Sequence, residues 1–503
     1  MVTNTNSPQG WIVQKFGGTS VGKFPELIVE DVVRTYSQTK NVAVVCSARS
    51  TGIKAEGTTS RLLEAADKAL KNQDYAEVLD RIRSDHLKVA HDKITDVSLV
   101  KQLERDIEAE IKYVENLCQA SQIIDEISCK TLDSIVSVGE KLSCLFMTAL
   151  LTDRGIACQY VDLSAVLSSV YSPGGQLGMG TGTSPINFEF YKNLIQRIVF
   201  ELQKCQGKIP IITGYFGIVP GGLINRLGRG YTDICAGLVA VGLNADELQI
   251  WKEVDGIFTA DPRKVPKAQL LNWITPEEAS ELTYYGSEVI HPTTMELVVK
   301  AKIPIRIKNV ANAKGHGTIV FPDNDESYSE ILINRYRMNQ DWVQDDPKSA
   351  LPTAITTKQN IITLNVKSNK QLLSYGFLSK VFQILNKHGL VVDLISTSKV
   401  KISMAIHHNN SNHEHSLRLA VLELKLHGEV DITKNLSIIS LIGKNMKKTV
   451  GLAGAMLSSL GQSGVNVEMI SQGVEEINIS CVIDSGKSLL ALKDLHARLL
   501  ESK

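Results

Sequence analysis

A lysine, a pair of glycines and two hydroxyl side chains follow a short apolar run near the start of the chain, and their chemistry suits a phosphate group. Glycines let anionic oxygens approach backbone N–H groups, a following helix start adds a positive dipole end, and a lysine neutralises charge on a transferring phosphoryl group. The spacing matches neither the P-loop nor the Rossmann glycine pattern, and an ordinary strand-to-helix turn is the commoner explanation for a lone glycine pair. The residues concerned are Lys15, Gly17, Gly18, Thr19 and Ser20.

Further polar segments interrupt an otherwise apolar pattern and carry charged groups that bind carboxylates or amines. Arg229 has the planar fork that binds a carboxylate through two hydrogen bonds, and Glu140 accepts hydrogen bonds from an ammonium group. On residue type alone, a structural ion pair is the other interpretation of both. Asp233 falls in the first turn of a predicted helix, where a carboxylate also complements the helix dipole. The segments are residues 44–60, 137–143, 227–233 and 251–263.

The elements that must position these groups follow a regular order up to about residue 320. Short apolar runs alternate with helical patterns, and their near-continuous hydrophobicity is typical of buried parallel strands. We therefore predict an α/β fold with a layered sheet. The predicted strands are 12–16, 42–46, 159–161, 209–213, 248–251 and 303–307. The predicted helices are 25–37, 59–70, those within about 75–120, 132–152, 188–205 and 232–241.

Several candidate residues lie at or just past the end of a predicted strand. These positions are near Lys15, Ser47, Gly214 and Lys252. Because ligands bind beyond the carboxyl ends of the strands in such sheets, we expect the four positions to share one rim.

The last third of the chain contains an internal repeat. Glycines, apolar residues and a serine recur 75 positions later, and each copy has the pattern strand, glycine turn, helix, strand, strand. A duplicated small α/β module explains these matches better than chance does. A polar, irregular stretch over 323–352 precedes the first copy and is typical of a linker. The matched positions are Gly376, Leu385, Gly389, Val392, Ile395 and Ser396 in the first copy and Gly451, Leu460, Gly464, Val467, Ile470 and Ser471 in the second.

Composition excludes several classes of protein. The 503 residues are 43% hydrophobic and 21% charged, enough for two or more domains with cores. Lysine plus arginine and aspartate plus glutamate both number 54, so no basic field points to nucleic acid. Eight cysteines occur without a C-x-x-C pair, as in reduced intracellular proteins. Because there is no signal-peptide pattern and no apolar run of roughly 20 residues, we predict a soluble cytoplasmic protein with no membrane partner.

Two conspicuous segments are predicted to be surface loops and not sites. The glycine-rich run 173–183 lacks a leading strand and a nucleotide-binding glycine pattern. The histidine-rich run 407–416 lies among asparagines and serines, so we expect an exposed, mobile loop and no metal centre.

Taken in chain order, five motifs resemble those of the aspartate kinases within the amino-acid-kinase family. The resemblance extends over about residues 11–503, is closest to the fungal monofunctional enzymes, and includes tandem ACT modules that match the repeat. It implies a three-layer sandwich with a mainly parallel open sheet, followed by two βαββ-type ACT modules. The implied segments are a catalytic domain over 11–322, a linker over 323–352 and modules over 353–432 and 433–503. The motifs are KFGGTSV (15–21), GEK (139–141), GRGYTD (228–233), DGIFTADPR (255–263) and VIHP (289–292).

The resemblance implies transfer of the γ-phosphoryl group of ATP, bound with Mg²⁺, to the side-chain carboxylate of L-aspartate. Because that carboxylate is ionised near neutral pH, catalysis reduces to holding two anions in line and neutralising their charge. Lys15 and Asp233 are the implied catalytic residues, beside phosphate contacts from the glycine turn. The implied aspartate contacts are Ser47, Thr59, Glu140 and Arg229, and the implied nucleotide contacts are Lys252, Glu253, Phe258 and Arg263.

The nucleotide segment departs from the commoner bacterial pattern of this family. Lys252 and Glu253 stand where Thr-Asp is frequent, Phe258 replaces a frequent Tyr, and Glu288 stands where a Lys is frequent. We therefore expect Mg-ATP as the phosphoryl donor, but we do not assign individual contacts between these residues and the nucleotide.

The ACT modules imply feedback control by an amino acid. Backbone N–H groups at the strand-to-helix turn of the first module would bind an α-carboxylate, and Asp393 would meet an α-ammonium group. Lys399 stands where Glu is usual and would repel a lysine effector, so we expect L-threonine. Exposed sheet edges predict a homo-oligomer formed through the ACT modules. The implied effector contacts are Ser374, Gly376, Phe377, Leu378 and Asp393.

Two other functions fit the same residues. One is a kinase for a different amino acid, such as glutamate, and the other is a non-catalytic ACT-type amino-acid sensor. The intact residues Lys15, Glu140, Arg229 and Asp233 favour a catalyst. Lys252 and Glu288 give slight support to a sensor. For a catalyst, the resemblance implies the first step of the pathway to threonine, methionine and, in some organisms, lysine.

Overall fold

The computed structural model divides the chain into two compact units. The first comprises Met1–Ile257, Asn272–Pro276 and Ile290–Leu332, and the second comprises Phe258–Leu271, Glu277–Val289 and Ile333–Lys503. The residues described are 10–53, 56–167, 188–217, 219, 221–227, 230–286, 290–321, 352–368, 376–398, 400–408, 411–444, 446, 449–473 and 477–501. The glycine-rich run 173–183 and the predicted linker up to residue 351 lie outside them.

An eight-stranded sheet forms the centre of the first unit. Its strands are β1 (Trp11–Phe16), β2 (Asn41–Cys46), β3 (Cys158–Val161), β4 (Ile209–Thr213), β5 (Glu247–Lys252), β6 (Trp273–Ile274), β7 (Ile305–Asn309) and β8 (Thr318–Val320). Their order is β3-β4-β2-β1-β5-β7-β8-β6, and the first six in this order are parallel. At the other edge, β8 runs antiparallel to β7. The predicted α/β fold with a mainly parallel sheet is confirmed.

Helices cover both faces of this sheet. They are α1 (Gly18–Lys23), α2 (Pro25–Leu27, the π-helical Ile28–Val33 and Arg34–Ser37), α3 (Thr58–Leu70), α4 (Ala76–Lys93), α5 (Val97–Ile124), α6 (Cys129–Asp153), α7 (Phe188–Gln203), α8 (Leu223–Leu227), α9 (Tyr231–Gly242) and α11 (Pro292–Lys300). The intervening helix α10 (Pro276–Tyr284) belongs, after its first residue, to the second unit. On one face, Phe16 and Val44 share a buried cluster with residues of α3 to α6, such as Leu62. On the other, α9 packs against β1, β2 and β5 with α7 and α11 beside it. The result is the expected three-layer sandwich.

The helix α6 is long and apolar enough, by length and composition alone, to cross a membrane. In this structure 72% of its apolar stretch is buried. It packs against α5 and against β3 and β4 of the sheet, so its apolar surface is used in the core of the first unit.

A six-stranded antiparallel sheet forms the second unit and contains the predicted repeat. The first copy is β9 (Ala354–Ser368), α12 (Phe377–Lys387), β10 (Val392–Thr397), β11 (Lys401–His407) and α13 (Ser411–Leu424). The second copy is β12 (Gly428–Ile442), α14 (Leu452–Gln462), β13 (Val467–Ser471), β14 (Asn478–Asp484) and α15 (Ser488–Leu499). The strand order is β10-β11-β9-β12-β14-β13, so the two copies join through β9 and β12.

The strands β9 and β12 are each 15 residues long and serve both modules. Leu364, in the second half of β9, lies in the core of the first module, whereas Ile355, in its first half, lies in the core of the second. Asn360 and Asn435 have positive φ values of 58° and 62°, close to the point where the register shifts. Because such an irregularity re-aims a strand, one continuous strand can enter two cores. The predicted boundary between residues 432 and 433 falls inside β12.

The histidine-rich run is not the loop that we expected. His407 ends β11, and α13 begins at Ser411, so both ends of the run lie in regular structure. Serine and asparagine predict loops, but they also begin helices because their side chains bind free N–H groups there. Among the described residues, no group of three or more potential metal ligands occurs.

Candidate active site

Lys15 and Asp233 form an ion pair at the carboxyl end of the central strand β1. Lys15 Nζ lies 2.6 Å from Asp233 Oδ1, and the two side chains are only 12% and 11% exposed. Alternation along β1 places Lys15 on the face opposite to Phe16. Asp233 lies in the first turn of α9, after Gly230, whose φ of 102° suits glycine and not other residues. The structure therefore brings together the two residues predicted to be catalytic.

Asp233 keeps its negative charge in spite of burial. Burial by itself would raise the pKa of this carboxyl group, but the positive charges of Lys15 and Lys252, a hydrogen bond from Lys15 and the nearby His291 hold its pKa below the usual value. The ionised carboxylate fixes the position of the Lys15 amine. A lysine held in this way is oriented in advance for an anion that arrives at the strand ends. His291, the N-cap residue just before α11, was not identified from the sequence as a neighbour of Asp233.

The glycine turn after β1 is shaped by a close approach of the chain beyond β2. A Cβ atom at Gly18 would lie 2.1 Å from the carbonyl oxygen of Ala48. Ser20 is fully buried, and its hydroxyl donates to Glu253 Oε1 at 2.7 Å. Gly18 and Ser20 thus have structural partners, and the phosphate contacts of the turn stay a prediction.

Glu140, Ser47 and Thr232 converge from three different parts of the fold. Thr232 Oγ1 on α9 donates to Glu140 Oε1 on α6 at 2.8 Å and lies 3.4 Å from Ser47 Oγ, just past β2. Gly139 permits this approach, because a Cβ atom there would lie 2.9 Å from Ala48 Cβ. Ser47 and Glu140, both predicted to contact aspartate, are therefore neighbours.

Glu140 is 1% exposed, and burial raises its pKa to about 8. Hydrogen bonds from Thr232 and Tyr231 and the charge of Lys15 lower this pKa but do not offset the effect of burial. Near neutral pH the carboxyl group is therefore mainly protonated. A cation bound beside it would favour the ionised form, which is the electrostatic setting of an ammonium-binding group.

Two threonines begin α3, and their surroundings differ. Thr58 is buried, and its Oγ1 donates to the Arg49 carbonyl at 3.0 Å and lies 3.3 Å from His86 Nε2. Thr59, the predicted substrate contact, is half-buried. Thr58 anchors the start of the helix, and the aspartate contact of Thr59 stays a prediction.

Arg229 lies outside the described residues, but α6 holds the chain on both sides of it. On one side, Asp133 accepts hydrogen bonds from the N–H groups of Leu223 and Ile224, at 2.6 and 3.3 Å, at the start of α8. On the other, Glu140 holds the first turn of α9. The two carboxyl groups are two helical turns apart and share one face of α6. Sequence reasoning missed Asp133, although an acidic residue seven positions before Glu140 in an apolar helix was a usable signal.

We expect Asp133→Ala to raise the KM for aspartate about five- to ten-fold, because it releases the start of α8 and with it the chain that leads to Arg229. The KM for ATP should change less than twofold. Asp96→Ala is the matched control, because Asp96 also accepts from two N–H groups, those of Ser98 and Leu99, at the start of α5. Steady-state kinetics of both variants measure the effect, and equal KM values for aspartate in the two would contradict the role of Asp133.

The predicted nucleotide contacts divide between the two units. Lys252 ends β5 in the first unit, and Glu253 follows it. Phe258 and Arg263 belong to the second unit. The side chain of Arg263 is 88% exposed, and its guanidinium group pairs with Asp261 at 3.0 Å, within its own turn. The nucleotide contacts of these residues stay a prediction.

In the second unit, Asp393 of the predicted effector site has a partner that the sequence did not suggest. Lys358 Nζ on β9 lies 2.7 Å from Asp393 Oδ1 on β10, and both side chains are largely buried. Gly376, with a φ of 81°, precedes Phe377 and Leu378, which begin α12. Three other residues singled out from the sequence lie outside the described residues: Glu288, Ser374 and Lys399.

Known proteins share this arrangement of domains. A model of the amino acid kinase family matches residues 10–309, and an ACT domain model matches residues 439–499. An aspartokinase of Saccharomyces cerevisiae is 51% identical over 507 residues, which covers 99% of this chain and 94% of the relative. E. coli aspartokinase III in complex with aspartate and ADP, in the R-state, has a TM-score of 0.74 at 26% identity, covering 97% of this chain and 99% of that chain. E. coli aspartokinase III in complex with lysine and aspartate, in the T-state, has a TM-score of 0.72 at 25% identity, with the same coverage.

The similarity extends over both units. The kinase model matches the segment that carries Lys15, Glu140 and Asp233, and the ACT model matches the second copy of the repeat. The identity to the yeast relative is high over nearly the whole length of both chains. This chain therefore belongs to the aspartokinases, a group within the amino acid kinase family.

Proposed function

We propose that this protein transfers the γ-phosphoryl group of Mg-ATP to the side-chain carboxylate of L-aspartate and so forms 4-phospho-L-aspartate. The observation that carries the proposal is the Lys15–Asp233 ion pair, at 2.6 Å, in the same charge cluster as the buried Glu140. Such a site offers a fixed cation for a phosphoryl group and an acceptor for the ammonium group of an amino acid. Similarity to aspartokinases supports aspartate as that amino acid.

In this mechanism, Lys15 neutralises the charge on the phosphoryl oxygens as the bond to ADP breaks, and Asp233 keeps the lysine amine in place. No general base is needed, because the acceptor carboxylate is already ionised. Glu140 binds the α-ammonium group of aspartate, and Arg229 binds its α-carboxylate. The side-chain carboxylate is then free to attack the phosphorus atom in line with the leaving group.

The remaining contacts belong to the same proposal. The hydroxyl groups of Ser47 and Thr59 bind aspartate, and the glycine turn after β1 binds phosphate oxygens. Mg²⁺ bound with ATP would supply further positive charge beside that of Lys15 during transfer. The proposed nucleotide contacts are Lys252, Glu253, Phe258 and Arg263.

Feedback control by L-threonine through the ACT modules is part of this proposal. One structural relative was solved with lysine in its T-state, which supports control by an amino acid. In this chain Asp393 is bound by Lys358, so the ammonium group of an effector would compete with a lysine for that carboxylate. A homo-oligomer formed through the ACT modules and a cytoplasmic role in amino-acid biosynthesis complete the proposal.

An ADP-release assay with a panel of amino acids tests the proposal. We expect ADP release above background with L-aspartate and only background release with L-glutamate or L-asparagine. Asparagine lacks the acceptor carboxylate. L-Threonine should inhibit the aspartate-dependent release. Release with glutamate alone would assign a different amino acid kinase. No release with any amino acid, together with threonine binding, would assign a sensor. Inhibition by L-lysine and not by L-threonine would overturn the effector assignment.

A further inference from the structure

The segment 258–271 follows the predicted nucleotide residues of β5, yet it is built into the second unit. Thr259 makes several of the hydrogen bonds that hold the segment in this unit. The carbonyl oxygen of Thr259 accepts from Ile355 N on β9 at 2.8 Å, and its Oγ1 accepts from Gln269 N at 2.9 Å. Ala260 and Val265 are buried in the core cluster of the second ACT module. The segment is thus held through its backbone, its side chains and its apolar surface.

Hydrogen bonds join the same segment to His496 on the C-terminal helix α15 and to Glu501 just after it, and the backbone of the segment between Thr259 and Lys267 closes these bonds into a ring. Thr259 Oγ1 lies 2.9 Å from His496 Nε2, and His496 Nδ1 lies 3.1 Å from Glu501 Oε1. Lys267, which belongs to the segment, donates to Glu501 Oε2 at 2.7 Å. Since Nδ1 faces a carboxylate, it donates to Glu501, and Nε2 shares a hydrogen bond with the threonine hydroxyl. Each group in the ring therefore has a matching donor or acceptor.

His496 is 1% exposed, and the fold of an ACT module does not require it. The corresponding turn of α13 in the first module carries Leu419, Ala420 and Val421, which cannot hydrogen-bond through their side chains. A buried histidine at this position of the last helix, present in one copy of the module and replaced by apolar residues in the other, is explained by what it contacts. Its contact is the segment that carries Phe258 and Arg263.

We propose that His496 is a positioning residue for ATP. Through its hydrogen bond to Thr259, it sets the placement of Phe258 and Arg263. The last helix of the second ACT module therefore influences the affinity of the protein for the nucleotide. The inference rests on the proposed function, which assigns those two residues to the nucleotide. Thr259 directly follows Phe258 and precedes Arg263 by four residues, so a shift of Thr259 displaces both.

Four variants test the ring. We expect His496→Leu and Thr259→Val each to raise the KM for ATP about three- to ten-fold, with kcat and the KM for aspartate changed less than twofold. The double variant should be no worse than either single variant, because both break the same ring. His496→Gln, whose amide can still bond to Thr259, should stay within twofold of the wild-type KM for ATP.

His388→Leu is the matched control. His388 is a mostly buried histidine in the first module, and its Nε2 lies 3.0 Å from Glu423 Oε2, so it resembles His496 in chemistry but does not contact the segment 258–271. Both leucine variants should unfold at a lower temperature, whereas only His496→Leu should change the KM for ATP. Equal KM values for ATP in the two variants, or additive effects in the double variant, would overturn the proposal.

Direct ATP binding by calorimetry, on the full-length chain, separates this inference from the proposed function. If wild type binds ATP but releases no ADP with aspartate, the proposed reaction fails, and the dissociation constants of the same variants still test His496. If His496→Leu does not fold, Thr259→Val and His496→Gln carry the comparison. An unchanged dissociation constant in Thr259→Val would then overturn the proposal.

Discussion

Lys15→Ala is expected to lower kcat for aspartate-dependent ADP release by about 10²–10³-fold, because it removes a fixed positive charge from the transferring phosphoryl group. The KM values should change far less, since this charge matters mainly when the phosphoryl oxygens gain negative charge in the transition state. Steady-state assays with each substrate varied in turn measure both quantities. Equal rates of ADP release by wild type and variant would contradict the catalytic role.

Removing Lys15 also leaves Asp233 as a mostly buried carboxylate without its 2.6 Å partner. Breaking a buried pair in this way costs roughly 3–5 kcal/mol of stability, so loss of folding must be separated from loss of catalysis. The double variant Lys15→Met with Asp233→Asn supplies the control, because it removes both charges together. We expect it to recover much of the thermal stability while kcat stays low. Recovery of kcat along with stability would show that Lys15 is needed for folding and not for phosphoryl transfer.

The KM for aspartate is expected to fall as the pH rises through about 8, the pKa to which burial raises Glu140. Below that pH the carboxyl group of the empty site is protonated, and binding the α-ammonium group requires the loss of that proton. Above it the carboxylate is already charged, so aspartate binds more tightly. Kinetics between about pH 6.5 and about pH 9 measure the trend, and the KM for ATP in the same experiments is the internal control.

Glu140→Gln should remove this pH dependence and raise the KM for aspartate about 10- to 100-fold, the range for losing a hydrogen bond to a charged group. The amide keeps the size of the side chain and an acceptor for Thr232, which donates to Glu140 Oε1 at 2.8 Å in the wild type. Folding should therefore change little. A KM for aspartate that does not vary with pH in the wild type would show that Glu140 does not bind the ammonium group.

The sequence predicted the first unit in most respects because the relevant signals are local. A run such as Ile12–Phe16 is apolar enough to be a buried strand wherever it lies in a sheet, and the order of runs predicts parallel neighbours. Lys15 and Lys252 follow from this directly, since each lies at the end of such a strand. The proximity of Glu140 and Asp233 to Lys15 was anticipated only through the family resemblance.

Contacts that depend on distant partners were not predictable from these patterns. The predicted phosphate contact of Ser20 is untested, and the sequence did not suggest that its hydroxyl donates to Glu253, which lies 233 positions away in the chain. The predicted effector contact of Asp393 is likewise untested, and its ion pair with Lys358 joins two strands of one sheet. The residue types permit both uses, and only the folded arrangement shows which partner is within reach.

The sequence by itself determined the α/β order of the first unit, the glycine turn with Lys15, and the duplication of the C-terminal module, because periodicity and repetition are properties of short segments. The tertiary structure alone decided that β9 and β12 each enter two cores and that the segment 258–271 joins the second unit through Thr259 and His496. Which apolar surface a segment covers is settled by the total area buried in the folded chain, and that quantity cannot be read from the segment alone.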